Sequence, residues 1–159
     1  MKNLVTLPET NHPYYSNPSF SKPATHISAN GNLQLHQMVN NLLHDLLPLA
    51  VSKRTLILNE IPGSFQLAAD ENMVAYVLWN LMNRVVTTTA NECIYIDAEE
   101  AGNCSMIRLK NVSNYFYRSF SGDLRQVQDI ARQLGGSLHI ENAGDRETTV
   151  CFVLGKNNP

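Results

Sequence analysis

The sequence has little of what would place it at once. It holds no block of Lys or Arg and its formal net charge is −2, so nothing in it recommends a nucleic-acid or anionic-membrane partner. No apolar run approaches the ~18 residues of a membrane span. Residues 4–7 are far too short a stretch for the apolar core of a signal peptide. The three cysteines, Cys93, Cys104 and Cys151, show no C-x-x-C spacing, and each falls in an apolar alternating segment. Reduced, packed thiols in a cytoplasmic protein are expected. The five His residues are scattered without ligand spacing, so no metal site is expected. There is no Ser/His/Asp set, no paired carboxylate box, no Walker-type loop and no internal repeat. What is present is 159 residues with 43% hydrophobic content. That suffices for one domain with a sizeable core, together with a tail.

Residues 1–31 form a separate compositional zone with Pro8, Pro13, Pro18 and Pro23, many Asn and Ser, and few apolar residues. They cannot bury enough apolar surface to fold alone. Two readings stand: a flexible tail, or a segment docked on the domain or on a partner through Tyr14, Tyr15, Phe20 and Ile27. Residues 156–159 read as a C-terminal tail. Between these tails lies the domain, residues 32–155.

Within it, residues 33–51 have helical periodicity through Leu35, Met38, Val39, Leu42, Leu46 and Leu49. Pro48 lacks a donor and clashes with the carbonyl of His44, so the helix should kink or end near there. Short strands follow at 55–59 and 65–68 around an Ile61-Pro62-Gly63 turn. Asp70 is a credible N-cap for a helix whose buried face is Met73, Val74, Val77, Leu78, Leu81, Met82 and Val85. Alternating strands are expected at 93–98 and 104–112, with residues 100–103 as their turn. Ile94, Ile96, Ala98, Ile107 and Leu109 face inward, and Arg108 and Lys110 face outward. Residues 121–134 are helical with Gly135 beyond the end. Strands at 137–142 and 148–154 make a terminal hairpin around Gly144. Helices recur singly between strand pairs. The expected fold class is therefore α/β: a two-layer sandwich with a mixed, mostly antiparallel sheet and about three helices on one face.

Particular residues go further than periodicity. Ala69-Asp70-Glu71-Asn72-Met73 opens the second helix, and Asn80-Leu81-Met82-Asn83-Arg84-Val85 lies within it. Leu134-Gly135-Gly136-Ser137 follows the third helix, and Glu147-Thr148-Thr149 opens the last strand. In order and spacing these resemble the ATPase domain of histidine kinases, the GHKL or Bergerat fold, over roughly residues 33–154. The family's Asn helix reads N-L-L-x-N-A, and its second Asn holds the magnesium of ATP. The resemblance implies that fold, a role in bacterial two-component signal transduction, and a nucleotide site of stated residues.

At those residues the chain departs from the pattern. Arg84 stands in the place of the magnesium-holding Asn. Magnesium demands oxygen ligands, whereas a guanidinium offers five donors and no acceptor. A unit charge pair at 4 Å is worth roughly 1 to 4 kcal/mol between water and a surface dielectric, and the doubly charged metal increases that repulsion. Asn83 is one residue early, which turns it about 100° around the helix. Asn80 matches the first Asn of the pattern, or is simply a polar residue at the end of the apolar stripe. The adenine segment D-x-G-x-G becomes Asn111-Val112-Ser113-Asn114-Tyr115. Asn111 can accept without charge assistance, and Ser113 and Tyr115 replace glycines that let backbone approach the ligand. The phosphate loop G-x-G-L becomes Ser121-Gly122-Asp123-Leu124. Asp123 places a carboxylate where phosphate would lie, although it suits the helix N-terminus. The lid is reduced to residues 113–120.

The resemblance with these departures implies a degenerate member, a pseudo-enzyme with no catalytic residue. ATP and magnesium are disfavoured as cofactors. The vestigial nucleotide positions are Asn80, Asn83, Arg84, Asn111, Ser113, Tyr115, Gly122, Asp123 and Thr148. The expected function is a cytoplasmic protein-interaction or adaptor module whose partner belongs to a signalling pathway, with a homodimer as a further form. Two alternatives remain open: weak or metal-free ATP/ADP binding through Arg84, and a small regulator like the anti-sigma-factor kinases. Tyr115, Phe116, Tyr117 and Phe120 either plug the vacated pocket or dock a partner. Tyr76 and Trp79 are core-edge residues or partner contacts. His44-Asp45-Leu46-Leu47-Pro48-Leu49 superficially resembles a phospho-acceptor box, but its Pro is one residue too close, and an exposed helix His is the expectation. His139 is expected to be a solvated strand position.

Overall fold

The computed structural model describes residues 32–112, 124–142 and 148–156. Along the chain run β1 (Leu33–Gln34), α1 (Leu35–Ser52), β2 (Leu56–Asn59), β3 (Gln66–Leu67) and α2 (Glu71–Thr88). After these come β4 (Cys93–Ala101), β5 (Cys104–Val112), α3 (Arg125–Gln133), β6 (Gly136–Asn142) and β7 (Thr148–Gly155). The tail at residues 1–31, the aromatic segment and lid at 113–120, Gly144 and residues 157–159 lie outside the described residues.

Five strands form one sheet in the order β2-β4-β5-β7-β6. The β2–β4 pair is parallel, and every other pair is antiparallel. Strand alternation puts Ile94 and Ile96 of β4, Ile107 and Leu109 of β5, and Val150, Phe152 and Leu154 of β7 on one face. That face packs against Val39, Leu42 and Leu46 of α1, Val74, Val77, Leu78 and Leu81 of α2, and Val127 and Ala131 of α3. Phe152 is fully buried near the middle of this layer, where an aromatic side chain contributes about 2 to 3 kcal/mol through burial alone. The two-layer α/β sandwich with helices on one face is the architecture found.

Asp70 caps α2 as expected: it is extended, and its carboxylate accepts from the Met73 N–H at 2.9 Å. Gly135, at φ +70°, ends α3 in the left-handed region, which glycine adopts without strain. The β4–β5 turn is tighter than the pattern suggests. The strands run on to Ala101 and Cys104, and Gly102 at φ +61° makes the reversal.

Three expectations are corrected. Leu33 and Gln34 are not helical: they form β1, which pairs antiparallel with β3. Leu33 and Leu35 are both buried, so the apolar spacing alone did not separate strand from helix. Because β3 pairs with β1, it leaves the main sheet, which therefore has five strands rather than six. Pro48 neither ends α1 nor stops it within a turn, and the helix continues to Ser52. Pro48 itself is exposed, while Leu46 and Ala50 on either side are buried. Burial of these neighbours holds the last turn against the loss of one backbone bond. The turn then closes through Lys53 N–H to Leu49 O, Arg54 N–H to Val51 O and Thr55 N–H to Ala50 O.

Candidate functional site

The site is built from α2 outward. The stripe Val74, Val77, Leu78, Leu81, Met82 and Val85 is buried on the sheet, which fixes the helix rotation and hence the placement of Asn80, Asn83 and Arg84 in its C-terminal half. Asn80 is half-buried, and its amide nitrogen donates to the Tyr76 carbonyl one turn back, at 2.7 Å. Asn83 is exposed and Arg84 half-buried. The carbonyls of these last two accept from Thr87 and Thr88, at 2.7 and 2.9 Å. Back-bonding of this kind slightly destabilises and often bends a helix near its end.

Two strand ends come to the same end of the sheet. Asn111 is the penultimate residue of β5, and Thr148 is the first residue of β7. The β5–β7 register is regular as far as Leu109↔Val150, breaks, and resumes at Val112↔Thr148. A bulge thus falls on Lys110 and Asn111, the point where the resemblance places adenine recognition. Bulges of this kind re-aim a strand next to a site. Thr148 is 1% exposed. Ser113, Tyr115, Gly122 and Asp123 lie outside the described residues, as do Tyr117 and Phe120. The structure therefore brings together Asn111 and Thr148 by strand pairing, and Asn80, Asn83 and Arg84 along one helix.

Two features went unnoticed in the sequence. The first is an ionic network on the face of the sheet away from the helices. The Arg108 guanidinium donates to Asp97 at 2.7 Å and makes a bidentate pair with Glu99 at 2.9 and 2.8 Å, while Lys110 pairs with Asp97. Burial works against ionisation of Asp97, yet the hydrogen bonds and charges of Arg108 and Lys110 prevail and hold its carboxyl below the usual range. Its bond to Asp97 raises the Arg108 pKa. Cys151 lies beside Arg108 in the register. Burial, and then the Glu141 carboxylate, push its thiol up to about 11. The signal was legible as charged residues at alternate positions of two neighbouring strands. The second feature is a cavity of about 470 Å³ at the opposite end of the molecule, where α2 begins and β4 turns into β5. Asp70, Met73, Glu100, Ser105, Leu154 and Lys156 help to line it. No vestigial nucleotide position contributes to it.

Tyr76 and Trp79 are partly buried against the core. His44 is exposed beside Asp45. His139 is exposed and bonded to the Ser137 hydroxyl at 2.7 Å. Cys93, Cys104 and Cys151 form no disulfide, and Cys151 is buried. No helix among the described residues is long and apolar enough to cross a membrane.

No protein-family model matches the sequence, and no curated protein matches it. Solved structures do match. The histidine kinase AdeS of Acinetobacter baumannii superposes with a TM-score of 0.70 at 13% identity, over 80% of this chain and 67% of that one. The catalytic domain of histidine kinase ThkA gives 0.65 at 16% identity, over 79% of this chain and 94% of that one. A histidine kinase of Burkholderia phymatum gives 0.64 at 14% identity, over 80% and 71%. The fold is that of histidine-kinase catalytic domains, the histidine-kinase-type ATPase fold.

Proposed function

We propose that this domain does not turn over ATP and acts in the cytoplasm as a protein-binding or adaptor module of bacterial signal transduction. One observation carries the reading. Arg84, half-buried on α2 one turn beyond Asn80, stands at the position that the resemblance gives to the magnesium-holding Asn. A guanidinium has no acceptor for a metal, and its charge opposes one. Asn80 lies one turn earlier on the helix, and its amide nitrogen donates to the Tyr76 carbonyl, which leaves only its side-chain oxygen as an acceptor. Asn83 is turned toward solvent. These residues do not fit magnesium-bound ATP. The choice of a protein partner draws support from a related fold: ThkA, 16% identical over 79% of this chain, is known in complex with the response regulator TrrA. A response-regulator-like protein is the partner class put forward.

A second reading rests on the same residue. The Arg84 guanidinium supplies positive charge at a nucleotide-binding position and takes the metal's place against phosphate, which gives metal-free ADP or ATP binding. Thermal denaturation with each nucleotide, with and without magnesium, separates the readings. Ligand at 100-fold above Kd adds about 2.7 kcal/mol of stability. No shift under any condition is the expected result. A shift that ignores magnesium supports the second reading. A shift that requires magnesium sinks both, and Arg84→Asn is expected to create that requirement.

A further inference from the structure

The cavity between the start of α2 and the β4–β5 turn lies where residues 1–31 join the domain. Asn32, at which the described chain begins, is part of its wall. Asn32 is held in place, because its side-chain amide donates to Gln66 Oε1 at 3.1 Å. β1 runs antiparallel to β3 with Leu33 opposite Leu67. A step back from Leu33 along one strand therefore corresponds to a step forward from Leu67 along the other. Ala68, Ala69 and Asp70 come next on that side, and all three line the cavity.

The lining has an apolar and a charged part. Leu67, Leu134 and Leu154 are buried, and Met73 is partly buried against the same core. The charged residues are Asp70, Glu100 and Lys156. Lys156 pairs with Glu100, which also accepts from the buried Ser105 hydroxyl at 3.2 Å. Asp70 is exposed and has no ion-pair partner among the described residues. The rim therefore carries one uncompensated carboxylate.

We infer that the cavity is the docking site of the chain's own residues 22–31, with Ile27 as the apolar anchor on Met73, Leu134 and Leu154. The register carries β1 two residues further, with Asn32 opposite Ala68 and Gly31 opposite Ala69, and so delivers the segment to the cavity. Three observations select this occupant. Ile27 is the one large apolar side chain between Lys22 and Gly31. It precedes Asn32 by five residues, a reach of at most about 17 Å. Residues 10–31 contain no Asp or Glu and have Lys22 and His26 as basic groups nearest the domain, which suits a rim with an unmatched carboxylate. The segment is also tethered at the cavity itself. Its effective concentration there is on the order of mM, which a separate peptide or small molecule has to exceed. Docked in this way, it straps the β1–β3 corner to the end of α3 and to the β4–β5 turn. The inference is independent of nucleotide competence.

Methyl NMR of the full chain tests it. The expected result is a nuclear Overhauser cross-peak from the Ile27 δ1 methyl to the Met73 ε methyl or to the methyls of Leu134 or Leu154. Ile27→Asp is expected to abolish it, to move the Met73 methyl resonance and to lower the melting temperature by about 4 °C. Leu4→Asp, the same kind of change elsewhere in residues 1–31, leaves all three as in the parent. Both positions precede the described domain, so neither change is expected to prevent folding. Absence of any cross-peak between Ile27 and the cavity methyls overturns the inference. So does a Leu4→Asp variant that acts as strongly as Ile27→Asp. A cross-peak seen only between differently labelled copies in a mixed sample overturns it too, since the segment then belongs to a second molecule.

Discussion

Replacing Gly136 by Ala is expected to do far more damage than its single methyl group suggests. Gly136 is the first residue of β6, directly after the glycine that ends α3, and it pairs with Leu154. A Cβ at this position would lie 2.3 Å from the Val153 carbonyl oxygen, 3.1 Å from the Leu154 side chain and 3.3 Å from the Ala131 carbonyl oxygen. Two of these neighbours are backbone, one in β7 and one in the last turn of α3. The clash is therefore relieved only by prying β6 from β7 or by lifting α3. Overpacking of this type costs about 3 kcal/mol, the upper end of the usual range, because neither neighbour yields alone. At about 4 °C per kcal/mol for a domain of this size, the melting temperature falls by about 12 °C. Two other glycines are internal controls. Gly63 has nothing within 4 Å of its would-be Cβ and no positive φ, so Gly63→Ala is neutral or stabilises by about 0.4 to 1 kcal/mol. Gly102 is equally uncrowded but sits at φ +61°, so Gly102→Ala loses about 1 kcal/mol to conformation alone. Thermal melts followed by circular dichroism give the three shifts. A Gly136→Ala variant that melts within about 2 °C of the parent refutes the reasoning, since the expected loss is several times that.

The Thr89 hydroxyl is buried and has no hydrogen-bond partner among the described residues, so Thr89→Val is expected to raise unfolding free energy by about 1 kcal/mol in urea titrations; a loss of stability refutes this. Cys151 is buried with its thiol pushed up to about 11, so iodoacetamide at mildly alkaline pH should label Cys93 and Cys104 well before it, as mass spectrometry of peptides over time will show. Equal rates for the three count against the assignment. Asp97 has a folded-state pKa below its unfolded value of 3.8. Its contribution to stability is therefore complete above the unfolded value and lost as pH falls through the folded one. Asp97→Asn should remove that part of the acid dependence, so its urea midpoint approaches the parent's as pH is lowered; an unchanged difference at all pH values sinks the idea.

The fold was largely legible because its strongest signals are local and periodic. Ile94, Ile96, Ile107 and Leu109 alternate, the α2 stripe repeats at helical spacing, and Asp70 sits where a cap is needed. The failures are where two readings share one pattern. Leu33 and Leu35 are apolar two apart and fit a strand or the start of a helix, and only pairing with Gln66–Leu67 decides between them. Pro48 breaks a helix in isolation, but burial of Leu46 and Ala50 is a tertiary term that no local rule contains. The bulge at Lys110–Asn111 depends on how β5 meets β7 and has no signature in β5 alone. At the site, Asn80, Asn83 and Arg84 were readable because they occupy one helix. The bond from Asn80 to the Tyr76 carbonyl was not, since a side chain's choice of partner depends on its rotamer and surroundings.

Two of the sheet's pairings join strands far apart in sequence: β2 reaches β4 across the whole of α2, and β5 reaches β7 across α3 and β6. β4 with β5, and β6 with β7, are neighbours in sequence and close with little loss of chain freedom. Of the long-range pairings, that of β2 holds a strand from one side only. β2 is then the natural place for local opening in the native state, with amides expected to exchange before those of β5 and β7. Each time it opens, Leu56 and Leu58 lose the backing of their own sheet and present an unpaired strand to whatever is near.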